Sequence, residues 1–185
     1  VCGHSLGEIT ALTVSNAISF KDALKIIQKR GLLMSDDSKV KKGKMLAVFN
    51  IPIQKVENLC NDIRNTCGYI TIANYNSSSQ YMLSGENSAI ENLKEKLKNE
   101  IVFPLKVSGA FHSELMRPIA EEFYNYLKKF QYSPLMIPII SSVDGKIYDN
   151  FDIASHLKLQ LTSSVYWKKV MKTFKDLNID EAIEI

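Results

Sequence analysis

The feature that most limits what this chain can fold into is the run Gly3-His4-Ser5-Leu6-Gly7-Glu8. A serine with glycines two before and two after it, followed at once by a helical pattern, has the arrangement of a nucleophile elbow. A sharp strand-to-helix turn leaves little room for Cβ atoms, so Gly3 and Gly7 let the backbone bend while Ser5 Oγ is pushed out of the sheet. The helix behind the turn aims its free N–H groups and the positive end of its dipole at any oxyanion formed beside the serine. The Leu6 N–H would be one such donor. The pentapeptide by itself also fits an ordinary tight turn.

A chain of 185 residues with 45% apolar content can bury a core around such a turn and form one globular unit with room for a subdomain. Its formal charge of +3 is mild, and Lys and Arg are interspersed with Asp and Glu. That excludes the aromatic-laced basic stripe of a nucleic-acid binder. Three cysteines, Cys2, Cys60 and Cys67, have no C-x-x-C spacing and no clustered histidines beside them, so neither a disulfide framework nor a metal site is expected. The cysteine usage reads as a reduced, intracellular protein. No apolar run approaches the roughly 20 residues of a membrane span, and a soluble protein with no membrane partner is expected. There is no signal or transit pattern, and Val1 already lies in the strand entering the elbow, so the chain reads as a fragment.

Along the chain, Leu6, Ile9, Leu12 and Thr13 keep helical spacing, the pattern breaks near Asn16, and Ser19-x-x-Asp22 offers a capping box for a second helix. Phe20, Ala23, Leu24, Ile27 and Gly31 predict its buried stripe, with Arg30 near the inward edge. A polar stretch from Ser35 to Gly43 follows as a hinge, holding Lys39, Lys41 and Lys42, with Lys44 just beyond. It reads as a solvated loop or as a basic surface for an acidic carrier domain. From residue 44 to 108 the periodicity changes. Strands are expected at 45–51, 69–75, 80–84 and 101–107, and helices at 52–63 and 87–98, the second capped by Asn87 or Ser88, with a turn at Asn76-Ser77-Ser78-Ser79. The order βαββαβ is the ferredoxin-like pattern. Beyond Ser113 the spacing predicts a helix over 117–129, a strand over 136–143 and an Asp144-Gly145 turn. Next come a helix from Ile153, a helix over 167–177 with Val170, Met171 and Phe174 inward, and a buried strand starting at 181–185.

A serine hydroxyl needs a base within hydrogen-bond reach, and the histidines are His4, His112 and His156. His4 adjoins Ser5, but neighbouring side chains diverge around an elbow, so it reads as packing under the turn. His156 lies in a helical stretch and reads as a surface or core-edge residue. His112 follows Gly109-Ala110-Phe111 at a strand-to-helix junction, where loops of an α/β sheet meet the site, and is the best candidate.

The longer pattern is more specific. Gly3-His4-Ser5-Leu6-Gly7-Glu8 is continued by Ala17-Ile18-Ser19-Phe20-Lys21-Asp22-Ala23 and Lys29-Arg30-Gly31-Leu32-Leu33-Met34. Then come Ala73-Asn74-Tyr75-Asn76, Gln80 with Ser84-Gly85, Gly109-Ala110-Phe111-His112-Ser113, and Gln160 with Val165 and Trp167. In this order the chain resembles the malonyl-CoA:acyl carrier protein transacylases over nearly its whole length. The resemblance implies an α/β fold with a hydrolase-like acyltransferase core, residues 1–43 and 109–185, into which a ferredoxin-like subdomain, residues 44–108, is inserted. It also implies that an N-terminal segment and the C-terminal end of the family are missing.

For the site the resemblance implies a dyad of Ser5 and His112. Most hydrolase-like sites use a carboxylate to fix the imidazole tautomer. In this family a main-chain carbonyl accepts the Nδ1 proton, and Gln160 is the matching position. Arg30 would bind the malonyl carboxylate, since a guanidinium offers a rigid fork of donors. Met34, Phe111, Asn74 and Asn76 would line the acyl pocket, with Phe111 narrowing the space beside the acyl α-carbon. No metal or bound cofactor is implied. The implied partners are malonyl-CoA and an acidic acyl carrier protein, the enzyme being a monomer. The location would be bacterial cytoplasm, or a plastid, apicoplast or mitochondrion in a eukaryote. An acyltransferase domain of a multidomain fatty acid or polyketide synthase stays open, as do a serine thioesterase and a non-enzymatic interaction module.

Overall fold

A computed structural model describes residues 1–36, 38, 42–107, 109–148 and 152–184. The elements run α1 (Gly7–Val14), α2 (Phe20–Met34), β1 (Gly43–Phe49), α3 (Ile53–Thr66), β2 (Ile70–Tyr75), β3 (Gln80–Glu86), α4 (Asn87–Lys96), β4 (Ile101–Pro104), a 3-10 turn at Glu114–Met116, α5 (Arg117–Leu127), α6 (Ile153–Thr162) and α7 (Trp167–Asp176).

The four strands form one sheet in the order β2-β3-β1-β4 with every neighbouring pair antiparallel. With α3 and α4 in their places this is the ferredoxin-like arrangement read from the periodicity. Side chains alternate across a strand, so Leu46 and Val48 of β1, Ile70 and Ile72 of β2, and Tyr81 and Leu83 of β3 meet Val56, Cys60 and Ile63 of α3 and Ala89, Ile90 and Leu93 of α4 in one buried cluster. β4 ends at Pro104, short of the expected 107, and one further bond runs from the Leu105 N–H to the Met45 carbonyl of β1 at 3.0 Å. β2 carries an irregularity between Ile72 and Asn74. There its free edge is taken by Val165, which donates to the Ala73 carbonyl and accepts from the Tyr75 N–H, both at 2.8 Å.

A second buried cluster gathers Ile9 and Leu12 of α1, Ala23, Ile26 and Leu33 of α2, Ile119, Phe123 and Leu127 of α5, and Leu157 and Leu161 of α6. At the expected capping box, Ser19 Oγ accepts the Asp22 N–H at 3.1 Å and donates to the Asp22 carboxylate at 2.9 Å.

Several expectations are corrected. The buried stripe of α2 is turned by part of a residue spacing, to Ala23, Ile26, Arg30 and Leu33. Phe20 and Leu24 are exposed, and so is Gly31. The inward face is chosen by α1 and α5, and Arg30 lies in its middle. α4 starts at Asn87 with Glu86 as its N-cap and no side-chain cap. No strand spans 136–143. Ile140 alone makes isolated bridges, parallel to Cys2 and antiparallel to Ile147, since Pro138 interrupts the run of donors. The turn after it does form, with Gly145 at φ +77, where a Cβ would meet Lys169 Cβ at 2.5 Å. In α7, Val170 is buried, Phe174 is half-buried and Met171 is exposed. Residues 181–184 are irregular and exposed rather than a buried strand, and Ile185 lies outside the described residues. So do Lys39 and Lys41 of the basic stretch; Lys44 is paired with Glu91 at 2.6 Å.

Candidate active site

Ser5 sits at φ 52, in the left-handed region that non-glycine residues enter only under constraint. The constraint is the elbow. A Cβ at Gly3 would lie 1.9 Å from the Gly7 carbonyl carbon, so the backbone can fold over itself only at glycine. Gly7 does not share the requirement expected for it, since a Cβ there meets nothing within 4 Å. The turn closes with Gly7, Glu8 and Ile9 N–H groups donating to the carbonyls of His4, Ser5 and Leu6. Leu6, at the N-cap of α1, is half exposed.

His112 also has a positive φ, 55. Its Nε2 lies 2.7 Å from Ser5 Oγ, and its Nδ1 lies 3.0 Å from the Gln160 carbonyl. A carbonyl only accepts, so Nδ1 carries the hydrogen and Nε2 is a bare acceptor for the serine proton. The carbonyl is available because Gln160 lies in the last turn of α6, where carbonyls have no partner within the helix. Burial first, and then the charge of Arg30, lower the His112 pKa to about 4. The ring is therefore neutral at pH 7, the state that can accept a proton.

Arg30 reaches the same atom. One guanidinium nitrogen donates to Ser5 Oγ at 3.0 Å and to Gln160 Oε1 at 3.5 Å. Arg30 is 6% exposed, and its Nε, buried, finds no hydrogen-bond partner among the described residues. Burial lowers its pKa to about 10 against the opposing pull of Glu8, so it remains a cation at neutral pH. A buried cation beside a nucleophile, with a donor still unmet, suits an incoming anionic group.

The other expected site residues lie around this centre in different ways. Asn76 Oδ1 is 3.0 Å from His4 Nε2, and the Asn76 amide also donates to Gln80 Oε1. The His4 ring packs edge-on against Trp167, so it supports the turn rather than serving as base. Asn74 is buried and bridges to Val165. Met34 and Phe111 are half-buried and pack on the larger hydrophobic cluster. A cavity of about 280 Å³ lies elsewhere, between α3 and β2, lined by Glu57, Cys60, Arg64, Tyr75 and their neighbours; none of the residues around Ser5 borders it.

One set of residues went unread in the sequence. Glu8 is fully buried, and its carboxylate accepts from Ser142 Oγ at 2.6 Å and from the Gln160 side-chain amide, and contacts His156 Nε2 at 2.9 Å. The only sequence signal was a carboxylate in the first turn of an apolar helix, a common and favourable place for one. His156 and Gln160 are one turn apart on α6 and so share a face.

Residues 1–175 match the family model described as acyl transferase domain. The malonyl CoA-acyl carrier protein transacylase of Staphylococcus aureus (strain MSSA476) is 36% identical over 187 residues, 99% of this chain. That of Bacillus subtilis is 33% identical over 190 residues. The crystal structure of the Clostridium perfringens malonyl CoA-acyl carrier protein transacylase superposes with a TM-score of 0.90 at 31% identity, over 97% of this chain. A malonyl-transacylase solved in complex with its type II PKS acyl-carrier protein gives 0.89 at 27% identity, over 96% of this chain. The chain spans 61% of the S. aureus protein, 47% of the B. subtilis protein and 57% of the C. perfringens chain. An elbow serine hydrogen-bonded to a buried imidazole, on this fold and with these relatives, makes the chain a member of the acyl transferase domain family.

Proposed function

We propose that the protein transfers a malonyl group from malonyl-CoA to the phosphopantetheine thiol of an acyl carrier protein. Ser5 Oγ attacks the thioester carbonyl carbon while His112 Nε2 takes the hydroxyl proton. The C–S bond breaks, and the proton passes to the departing CoA sulfur. The carrier thiol then attacks the malonyl-serine ester, giving its proton through His112 to Ser5 Oγ. The Leu6 N–H, at the start of α1, is a donor to the oxyanion. The Gln160 carbonyl holds the imidazole tautomer, and Arg30 pairs with the malonyl carboxylate. Met34, Phe111, Asn74 and Asn76 border the acyl group.

The observation that carries this reading is the convergence of His112 Nε2 and the Arg30 guanidinium on Ser5 Oγ, at 2.7 and 3.0 Å. A thioesterase needs the first contact and has no use for the second. Residues 1–43 and 109–185 serve as the catalytic core and 44–108 as a subdomain tied to it along β2. The enzyme works as an intracellular monomer without metal or bound cofactor. No helix among the described residues is long and apolar enough to cross a membrane.

Incubation with malonyl-CoA followed by intact-mass and peptide mapping tests the reading. The expected product is a malonyl ester on Ser5 that disappears when holo acyl carrier protein is added. An adduct that water removes as fast as the carrier does would favour the thioesterase, and no adduct at all would remove the enzyme.

A further inference from the structure

We propose that Glu8 is a positioning residue for the dyad: held by His156 and Ser142, its buried carboxylate fixes the Gln160 side chain, and through it the carbonyl that orients His112 and the guanidinium that reaches Ser5. The inference rests on the acyl-transfer reading and adds to it a part for a carboxylate that does not touch the base.

Gln160 occupies the centre of the site. Its backbone carbonyl accepts from His112 Nδ1 at 3.0 Å, and its side-chain Oε1 accepts from Arg30 at 3.5 Å. Its side-chain nitrogen donates to the Ser5 carbonyl at 3.0 Å, to Ser142 Oγ at 3.4 Å and to Glu8 Oε2. One residue therefore ties the site together: its backbone carbonyl holds the base, and its side-chain amide holds the nucleophile's backbone and the cation, provided that the amide cannot flip. The Glu8 carboxylate prevents the flip, because turning the amide would set its oxygen against a carboxylate and its NH2 against a guanidinium. Glu8 in turn cannot swing away. Oε2 takes the Ser142 hydroxyl at 2.6 Å, and Oε1 faces His156 Nε2 at 2.9 Å, a ring steadied by the edge-on Tyr148 ring with centroids 4.6 Å apart.

A carboxylate at 0% exposure has lost its water and stays only where donors replace it. Here the donors come from α6 and the residues before its start, so the carboxylate of α1 locks α6 in height and rotation against the elbow. His156 and Gln160, one turn apart, are the two points of attachment. The site thus keeps a buried carboxylate, displaced by one residue from the place where a catalytic triad would have it.

The test compares the parent with E8Q, H156A and H156Q, measuring malonyl-serine formation by rapid quench across malonyl-CoA concentrations. Rates are expressed per folded site, titrated with a serine-directed fluorophosphonate. E8Q should lower the limiting rate of acylation about 10²-fold, the scale of a misplacement near 1 Å, with a much smaller change in the malonyl-CoA concentration at half-maximal rate. A structural defect alone would reduce the number of sites and leave the rate per site unchanged. H156A should lose about tenfold, and H156Q, which keeps a donor toward Glu8, should recover most of it. If E8Q does not fold, the H156A and H156Q pair decides, and H156A at the parental rate per site overturns the proposal. A labelled parent with an equally fast E8Q overturns this inference alone. A parent that forms no adduct at Ser5 overturns the acyl-transfer reading, and this one with it.

Discussion

Among single residues, His112 shows what burial beside a cation does to a titrating group. Its pKa of about 4, against 6.5 for an ordinary histidine, comes from lost hydration and from Arg30. Acylation measured as kcat/KM should therefore stay level well below pH 6.5 and decline only as pH nears 4. A midpoint near 6.5 would mean a solvated, unassisted ring. Stability follows the same group. The unfolded chain takes up a proton below 6.5 and the folded one does not, so stability present above that pH is lost between 6.5 and about 4, by up to about 3 kcal/mol. The H112N variant should show less of this loss in urea melts at pH 7 and pH 5. Arg30 gives a second expectation. R30A should cost malonyl transfer ~2–5 kcal/mol more than acetyl transfer, as only malonyl offers a carboxylate to the fork. Equal losses would make Arg30 a support of the fold. For Phe111, F111S should let methylmalonyl gain on malonyl by about 1–3 kcal/mol; an unchanged ratio in a folded variant would leave it as packing on the core.

For the elements, the elbow depends on one glycine. With Gly7 carbonyl carbon 1.9 Å from a Cβ at position 3 and open space at position 7, G3A should abolish Ser5 labelling and lower the melting temperature, whereas G7A should fold. Equal behaviour of the two would show that the turn relaxes. The βαββαβ order was legible because the short apolar runs of the strands and the 3.6-residue spacing of α3 and α4 serve a single local cluster. The face of α2 was not, since Phe20 and Leu24 are as apolar as Ile26 and Leu33, and only packing against α1 and α5 selects among them. Ile140 had the composition of a strand, but strand identity needs a partner as well as a pattern.

In the whole molecule, two apolar clusters flank the site, one under the four-stranded sheet and one among α1, α2, α5 and α6. Phe123→Ala and Leu83→Ala each remove a fully buried side chain from one of them, and each should cost ~2–5 kcal/mol in chemical denaturation. The contact of Ser5 with His112, at 2.7 Å, was legible because each sits in a motif of the resembled family. Glu8, His156 and Ser142 were not, because a buried carboxylate and its donors come together only when α1 and α6 dock, and nothing in their spacing along the chain records it. The way α6 ends has a consequence for the conditions under which such a site can operate. Where a triad balances its imidazolium with an acid that can itself be protonated, this dyad uses the negative pole of a helix, about half an elementary charge. A peptide carbonyl has no proton to gain in the working range of pH. Acid can therefore silence the base but not its orienting partner, and no side-chain substitution at position 160 can delete that partner. The carbonyl itself is insured against titration and against substitution at position 160, and is exposed to a shift of the helix, which Glu8 holds through His156 and Gln160.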